Sequence, residues 1–280
     1  MRKGKQNSLR LDALIQRMEQ SYGFDISVYE GSFLMQAIGR RRAETGCMTT
    51  EDYCECLAGS RAEAEAFYRS LRVGYSEFFR DRLTFALLEQ QILPELIAEK
   101  REEEGSELRV WSAGCAAGQE AWSIAILLDE LCGAGQALPY RIFATDVSEA
   151  DLTCARDGIY SAAAAGHIRL KHLQNCFIQQ GDTYAIVPRL RARVDFSHYD
   201  LLDEYSVCPP VSLYGDFDLI FCCNLLFYYR PELRQRILDK VCSALAPGGC
   251  FVTGDTEKGI VSEHADLCAV SPLGTVFKKR

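Results

Sequence analysis

The chain has 280 residues, 48% hydrophobic and 25% charged, which is enough apolar material for a sizeable core and excludes a disordered or low-complexity chain. A net charge of −8 argues against nucleic acid as a partner, because a phosphate backbone rewards clustered positive charge. No apolar run reaches the roughly 18–20 residues of a membrane span, and the basic start Met1-Arg-Lys-Gly-Lys leads into polar residues instead of an apolar signal core, so the chain reads as cytoplasmic.

Residues 1–72 read as a helical N-terminal domain. Leu9 to Met18 carries apolar residues at three- and four-residue spacing, and Ser32 to Ile38 begins a second such face. Thr49-Thr50-Glu51-Asp52 has the form of a helix start, a hydroxyl cap ahead of acidic first-turn residues. Arg40-Arg41-Arg42 follows the second helix and reads as a solvated helix end, or alternatively as a contact for an acidic protein partner. The 13 cysteines are scattered and never spaced Cys-x-x-Cys; Cys54/Cys56 and Cys222/Cys223 are the close pairs. They read as structural thiols of a reducing compartment, with no metal site.

Residues 73–107 form a linker, with Phe78-Phe79-Arg80 and a helix to about Lys100. From Leu108 onward apolar runs at 108–113, 141–145, 217–222 and 249–253 alternate with helical patterns, so 108–280 is expected to be an α/β domain built on a mainly parallel sheet. Residues 167–198 interrupt the rhythm: Thr183-Tyr-Ala-Ile-Val and Arg191-Ala-Arg-Val-Asp-Phe predict a small antiparallel insert.

The run Leu108-Arg-Val-Trp-Ser-Ala-Gly114-Cys-Ala-Ala-Gly118-Gln-Glu120 ends in two glycines four apart, and a helical pattern from Ala121 to Leu131 follows at once. A strand–turn–helix of this kind lets a ligand lie against bare backbone at the carboxyl edge of the sheet. A dinucleotide fold wants Gly-x-Gly-x-x-Gly around a pyrophosphate, and Glu120 has the wrong charge for one. A ligand with cationic and hydroxyl groups, such as S-adenosylmethionine, suits it better.

Later strand ends continue the pattern. Arg141-Ile-Phe-Ala-Thr-Asp146 places an acid where the ribose hydroxyls of a nucleoside would lie, although Asp146 and Ser148 could also cap the next helix. Asp200 and Leu201 stand where a third strand would reach an adenine, one accepting from its amine and the other packing on its face; a surface-loop acid is the alternative. Asn224 and Tyr228 punctuate the apolar segment after Asp216-Phe-Asp-Leu-Ile-Phe, and Tyr228 could equally be a satisfied core residue. Leu245-Ala-Pro-Gly-Gly closes the series with a helix end, a turn and another strand, a pairing frequent in S-adenosylmethionine-dependent methyltransferases.

Taken together these segments resemble the CheR-type chemoreceptor glutamate O-methyltransferases. The resemblance is carried by Phe78-Phe79-Arg80, by Trp111-Ser-Ala-Gly-Cys-Ala-Ala-Gly-Gln-Glu-Ala-Trp-Ser-Ile-Ala, by Ala144-Thr-Asp146, by Ala155-Arg-Asp-Gly-Ile-Tyr160 and by Cys222-Cys-Asn224-Leu-Leu-Phe-Tyr228-Tyr. It runs from near Phe24 to about residue 258. It implies a helical N-terminal domain, a Rossmann-like catalytic domain and a β-subdomain that touches a protein substrate. The cofactor would be S-adenosyl-L-methionine, giving S-adenosyl-L-homocysteine, and the substrate the cytoplasmic helical part of a chemoreceptor. Arg80 and Tyr228 would be catalytic, beside the acceptor carboxylate and the transferring methyl. Ser76, Arg80, Gly114, Gly118, Glu120, Asp146, Asp200, Leu201, Asn224 and Leu225 would bind the cofactor.

The chain departs from the family pattern at several positions. Gly74-Tyr75-Ser76 stands for Asn-x-Thr, Gln119 for a glutamate, Asp200 for an asparagine, Cys223 for an arginine and Arg230 for an aspartate; the late Ser-Glu-Asn reads Thr256-Glu257-Lys258. Cofactor contacts survive these changes better than substrate-side ones. A different protein or small-molecule acceptor, or an inactive cofactor sensor, are the alternatives this leaves.

Overall fold

The computed structural model describes residues 2–102, 106–133, 138–212, 214–271 and 274–280. They divide into two compact units, one of residues 1–73 with 227–235 and the other of 74–226 with 236–280. The nine residues 227–235, expected within the α/β part, belong to the helical unit.

In the first unit, α1 (Arg2–Tyr22), α2 (Gly31–Thr45), α3 (Thr50–Gly59) and α4 (Arg61–Ser70) surround a core that includes Met18, Ile26, Leu34, Tyr53 and Phe67. The expected cap of α3 forms as a reciprocal box: Asp52 N donates to Thr49 Oγ1 at 3.1 Å, and Thr49 N donates to Asp52 Oδ2 at 2.9 Å. Arg41, expected at a solvated helix end, is instead half-buried. It grips Glu63 through two parallel bonds of 2.9 and 2.6 Å, and Tyr53 OH donates to the same carboxylate at 2.8 Å. Arg42 turns back to Met48 O and Thr50. Arg41 and Arg42 therefore tie α2 to α3 and α4, a tertiary use that spacing alone does not reveal, while Arg40 is exposed. Residues 227–230 join this unit through hydrogen bonds from Glu30 N to Tyr228 O at 2.8 Å and from Arg230 N to Val28 O at 3.1 Å.

The second unit opens with α5 (Arg82–Leu87), a π-helical turn (Leu88–Ile92) and α6 (Leu93–Glu102). Then come β1 (Leu108–Ala113), α7 (Gln119–Cys132), β2 (Tyr140–Asp146), α8 (Glu149–Asp157), β3 (Ile159–Ser161), α9 (Ala162–Ala165) and α10 (Leu170–Cys176). They are followed by β4 (Phe177–Gln180), β5 (Thr183–Ile186), α11 (Pro188–Arg191), β6 (Val194–His198) and β7 (Phe217–Cys222). The chain finishes through α12 (Pro231–Ala244), which enters this unit from residue 236, then β8 (Leu245–Thr253), α13 (Lys258–Ser262), β9 (Leu267–Ala269) and β10 (Val276–Lys279).

Among the described residues, seven strands form one sheet in the order β6-β2-β1-β7-β8-β10-β9. The pairs from β6 through β8 are parallel, and β10 runs antiparallel to both β8 and β9. From β1 the chain builds outward to β2 and β6, then returns to place β7 on the other flank. That reversal between β1 and β7 is a topological switch point, where open α/β sheets form a ligand crevice at their carboxyl ends. β7 is buried along its whole length, as a strand covered on both faces must be. α7 is buried from Ala121 to Leu128 and packs against β2 and β6 of the same sheet.

The small sheet has the order β3-β5-β4 and is antiparallel. It therefore begins before residue 167 and ends at Ile186. The 194–198 segment, expected in the insert, instead pairs in parallel with β2 from Ile142↔Val194 to Asp146↔His198. Its short alternating run, Val-Asp-Phe-Ser-His, fits either sheet; only tertiary pairing decides. No described helix is long and apolar enough to cross a membrane.

Candidate functional site

The turn after β1 is shaped by two glycines in the left-handed region. Gly114 has φ 81°, and a Cβ there would lie 3.1 Å from Leu225 Cδ1. Gly118 has φ 88° and caps α7, and a Cβ there would meet the Ala155 Cβ at 2.7 Å. One glycine leaves bare backbone at the crevice; the other lets α7 and α8 close on each other. Between them Ala116, not a glycine, also holds a positive φ of 46°, a strain that persists only where surroundings over-determine the backbone.

Its surroundings do so through β2. Gly114 N and Cys115 N both donate to Thr145 O, at 2.8 and 2.9 Å, and Trp111 Nε1 donates to Thr145 Oγ1 at 2.9 Å. Asp146 then takes Ala116 N on Oδ2 and Ser148 N on Oδ1, both at 2.9 Å. Ser148, not Asp146, caps α8, with Asp151 N donating to its Oγ at 3.3 Å. Asp146 thus stiffens the glycine turn, and burial pushes its carboxyl above the ordinary value despite those backbone donors.

A cavity of about 480 Å³ opens beside this turn. Ser76, Arg80, Gly114, Glu120 and Asn224, all expected at the site, lie in its wall together with Cys223 and Thr253. Gly118, Asp146, Asp200, Leu201 and Leu225 are not in that wall. Gly118 and Asp146 frame the adjoining turn, and Leu225 packs on Gly114. Asp200 is exposed and accepts Leu202 N at 2.8 Å, while Leu201 is buried just past β6. Tyr228 belongs to the helical unit, where its ring packs 4.6 Å from that of Phe33.

Glu120 is a strongly perturbed carboxyl in the cavity wall. Ser112 Oγ donates to its Oε1 at 2.7 Å, yet burial pushes its carboxyl up to about 7, offset in part by Ser112, Cys223 and the charge on Arg80. A half-buried carboxyl held at that value is poised to ionise when a cation arrives. Arg80 is exposed and lies over the Tyr75 ring at 5.1 Å, with Nη1 reaching Tyr75 O at 3.5 Å. At Gly74 a Cβ would lie 2.6 Å from Asp151 Oδ2, so a side chain there requires the Asp151 carboxylate to turn aside.

Sequence reasoning did not assign Ser112, Cys223 or Glu257 to the site. Ser112 carried the clearest signal, a hydroxyl within the apolar end Val110-Trp-Ser-Ala of the strand, eight residues before an acid on the next helix.

S-adenosylmethionine fits this donor set: a carboxyl near neutrality for its cationic portion, a backbone cradle that a Cβ at Gly114 would fill, and a fixed acid at the second strand end. Comparison with known proteins agrees. Residues 75–272 match the family described as CheR methyltransferase, SAM binding domain, and residues 10–71 match CheR methyltransferase, all-alpha domain. A chemotaxis protein methyltransferase of Listeria innocua is 29% identical over 86% of this chain and 87% of its own. Chemotaxis protein methyltransferase 1 of Pseudomonas aeruginosa is 36% identical over 72% of this chain and 73% of its own. An uncharacterized 104.1 kDa protein of Rhodobacter capsulatus is 31% identical over 89% of this chain, which spans only 25% of that longer protein. Matched through both its helical and its cofactor-binding parts, the chain belongs to the CheR methyltransferase family.

Proposed function

We propose that the protein transfers the methyl group of S-adenosylmethionine to a glutamate side chain of a chemoreceptor, forming a methyl ester. The observation that carries this reading is the cavity wall that holds Arg80 and Glu120 together beside the Gly114 backbone, in a chain of this family. The bound cofactor supplies an electrophilic methyl on a neutral leaving group. The acceptor supplies its own nucleophile, because a glutamate with a reference pKa of about 4.3 is ionised near neutrality. No general base is needed, so the chain's task is placement and exclusion of water, worth up to roughly 7–11 kcal/mol in well-oriented systems.

Each residue then has a limited job. Glu120, ionised on binding, faces the cofactor's cationic portion, and Ser112 fixes its rotamer. Asp146 keeps the turn rigid and offers acceptor oxygens to ribose hydroxyls. Arg80 has a planar fork that matches a carboxylate and is proposed to orient the acceptor. Tyr228 is proposed to act beside the methyl, as the family resemblance implies. One observation favours a second reading with a different acceptor: Gly74, crowded by Asp151, removes an amide from the substrate side.

Incubation with methyl-labelled S-adenosylmethionine and membranes from the source cell tests the proposal. Base-labile label on receptors, released as methanol, is the expected result. Stable label on another acceptor would establish the second reading, and cofactor binding without any label would identify a sensor instead of an enzyme.

A further inference from the structure

Glu257 follows β8 and has no solvent exposure, yet nothing in the reaction uses it directly. A buried carboxylate is costly unless donors satisfy it, and here the donors come from two separate strand ends. Its Oε2 accepts Asn224 N at 2.6 Å, Gly254 N at 3.2 Å and Thr253 Oγ1 at 3.2 Å. The bond to Gly254 closes the short turn Asp255–Glu257, and a local cap would explain that contact alone. The bond to Asn224 N is different: it reaches 33 residues back, to the loop after β7.

Asn224 sits in a left-handed conformation, φ 57°, a region uncommon for non-glycine residues that asparagine tolerates better than most, and the Glu257 carboxylate holds its N–H there. Its side-chain amide lies on the bare face of Gly254, where a Cβ would meet Asn224 Nδ2 at 2.8 Å and Glu257 Oε2 at 3.0 Å. Asn224, Thr253 and Gly254 are all in the cavity wall, whereas Glu257 is behind it. We propose that Glu257 is a positioning residue for cofactor binding, holding the left-handed Asn224 and the glycine at 254 as one rigid wall of the cavity. The proposal rests on the reading of this cavity as the S-adenosylmethionine site.

Three variants of the full chain test it: Glu257→Ala, Glu257→Gln and Gly254→Ala, with S-adenosyl-L-homocysteine affinity measured by calorimetry and fold checked by circular dichroism. Glu257→Ala, which removes the acceptor, and Gly254→Ala, which displaces the Asn224 amide, are expected to weaken binding by about tenfold or more while the folded spectrum persists. Glu257→Gln keeps an acceptor oxygen and is expected to stay within about threefold of wild type. If Glu257→Ala does not fold, Gly254→Ala, with Glu257 intact, carries the test. Wild-type affinity in folded Glu257→Ala or Gly254→Ala would overturn the proposal, as would Glu257→Gln binding as weakly as Glu257→Ala. A wild-type protein that binds no S-adenosyl-L-homocysteine would refute the reading of the cavity itself. Tight binding without receptor methylation would refute only the proposed acceptor.

Discussion

Ser112 on β1 donates its hydroxyl to Glu120 on the first turn of α7 at 2.7 Å, and this bond joins strand and helix at the cavity. It lowers the cost of ionising Glu120 without abolishing it, since burial still holds the carboxyl at about 7. Binding of a ligand with an ammonium group should therefore strip a proton from Glu120. Affinity for S-adenosyl-L-homocysteine is expected to rise about tenfold between pH 6 and pH 8 and to level off above. Calorimetry in buffers of different ionisation enthalpy should detect the released proton. Glu120→Gln should bind weakly with a flat pH profile; a profile as steep as wild type would assign the proton to another group.

The same group affects stability with the opposite sense. A carboxyl whose folded value is raised to about 7 from 4.5 binds protons more tightly folded than unfolded. Its contribution is most favourable below the unfolded value, declines as pH rises through this window and is lost above about 7. The penalty on the ligand-free protein reaches about 3 kcal/mol. Glu120→Gln should thus be more stable than wild type at pH 8 and closer to it at pH 5, as read by urea unfolding.

Asp146→Ala removes both the proposed ribose acceptor and the oxygens that hold Ala116 N and Ser148 N. Cofactor affinity should fall by about 1–3 kcal/mol, with a loss of stability of about 1–2 kcal/mol. Asp146→Asn, which keeps one acceptor for the turn, should recover part of the stability and little of the affinity. Unchanged calorimetric affinity in a folded Asp146→Ala protein would refute the ribose assignment.

Asp218 provides a contrast away from the cavity. Buried in β7, it accepts Arg109 N on Oδ2 at 2.8 Å and pairs with Lys100 Nζ through Oδ1 at 3.0 Å. Asp218→Ala should cost about 2–4 kcal/mol of stability because it removes the acceptor of the Arg109 N–H and the ion-pair partner of the half-buried Lys100. Affinity for S-adenosyl-L-homocysteine should be untouched below the melting range.

Arg80→Ala should leave stability within about 0.5 kcal/mol, as expected of an exposed side chain, while methyl transfer falls by about 10²-fold. Arg80→Lys should rescue poorly, because an ammonium cannot match a carboxylate with a planar fork. Full rescue by lysine would reduce Arg80 to a point charge.

Local chemistry made much of this readable in advance. The strand–turn–helix at 108–131 and the acid at 146 depend on contiguous residues with strong conformational demands, and they stand where spacing puts them. The segment 194–198 joins the large sheet against expectation, because five alternating residues carry no mark of which sheet they will pair with. Glu257 was visible only as part of a varied motif, since its bond to Asn224 depends on two strands becoming neighbours. Arg41 shows the same limit: a charge run looks solvated until Glu63 and Tyr53 are folded against it.

The inclusion of 227–235 in the helical unit bears on how the chain can be cut. A break after residue 73 would look natural from composition, but it would leave Tyr228, Tyr229 and Arg230 on the larger fragment and their partners Val28, Tyr29 and Glu30 on the smaller one. Each piece would then carry one half of that antiparallel pairing. Mixed together, the two fragments should seek each other out, so the protein is better suited to split-and-reconstitute experiments than to study as separate halves.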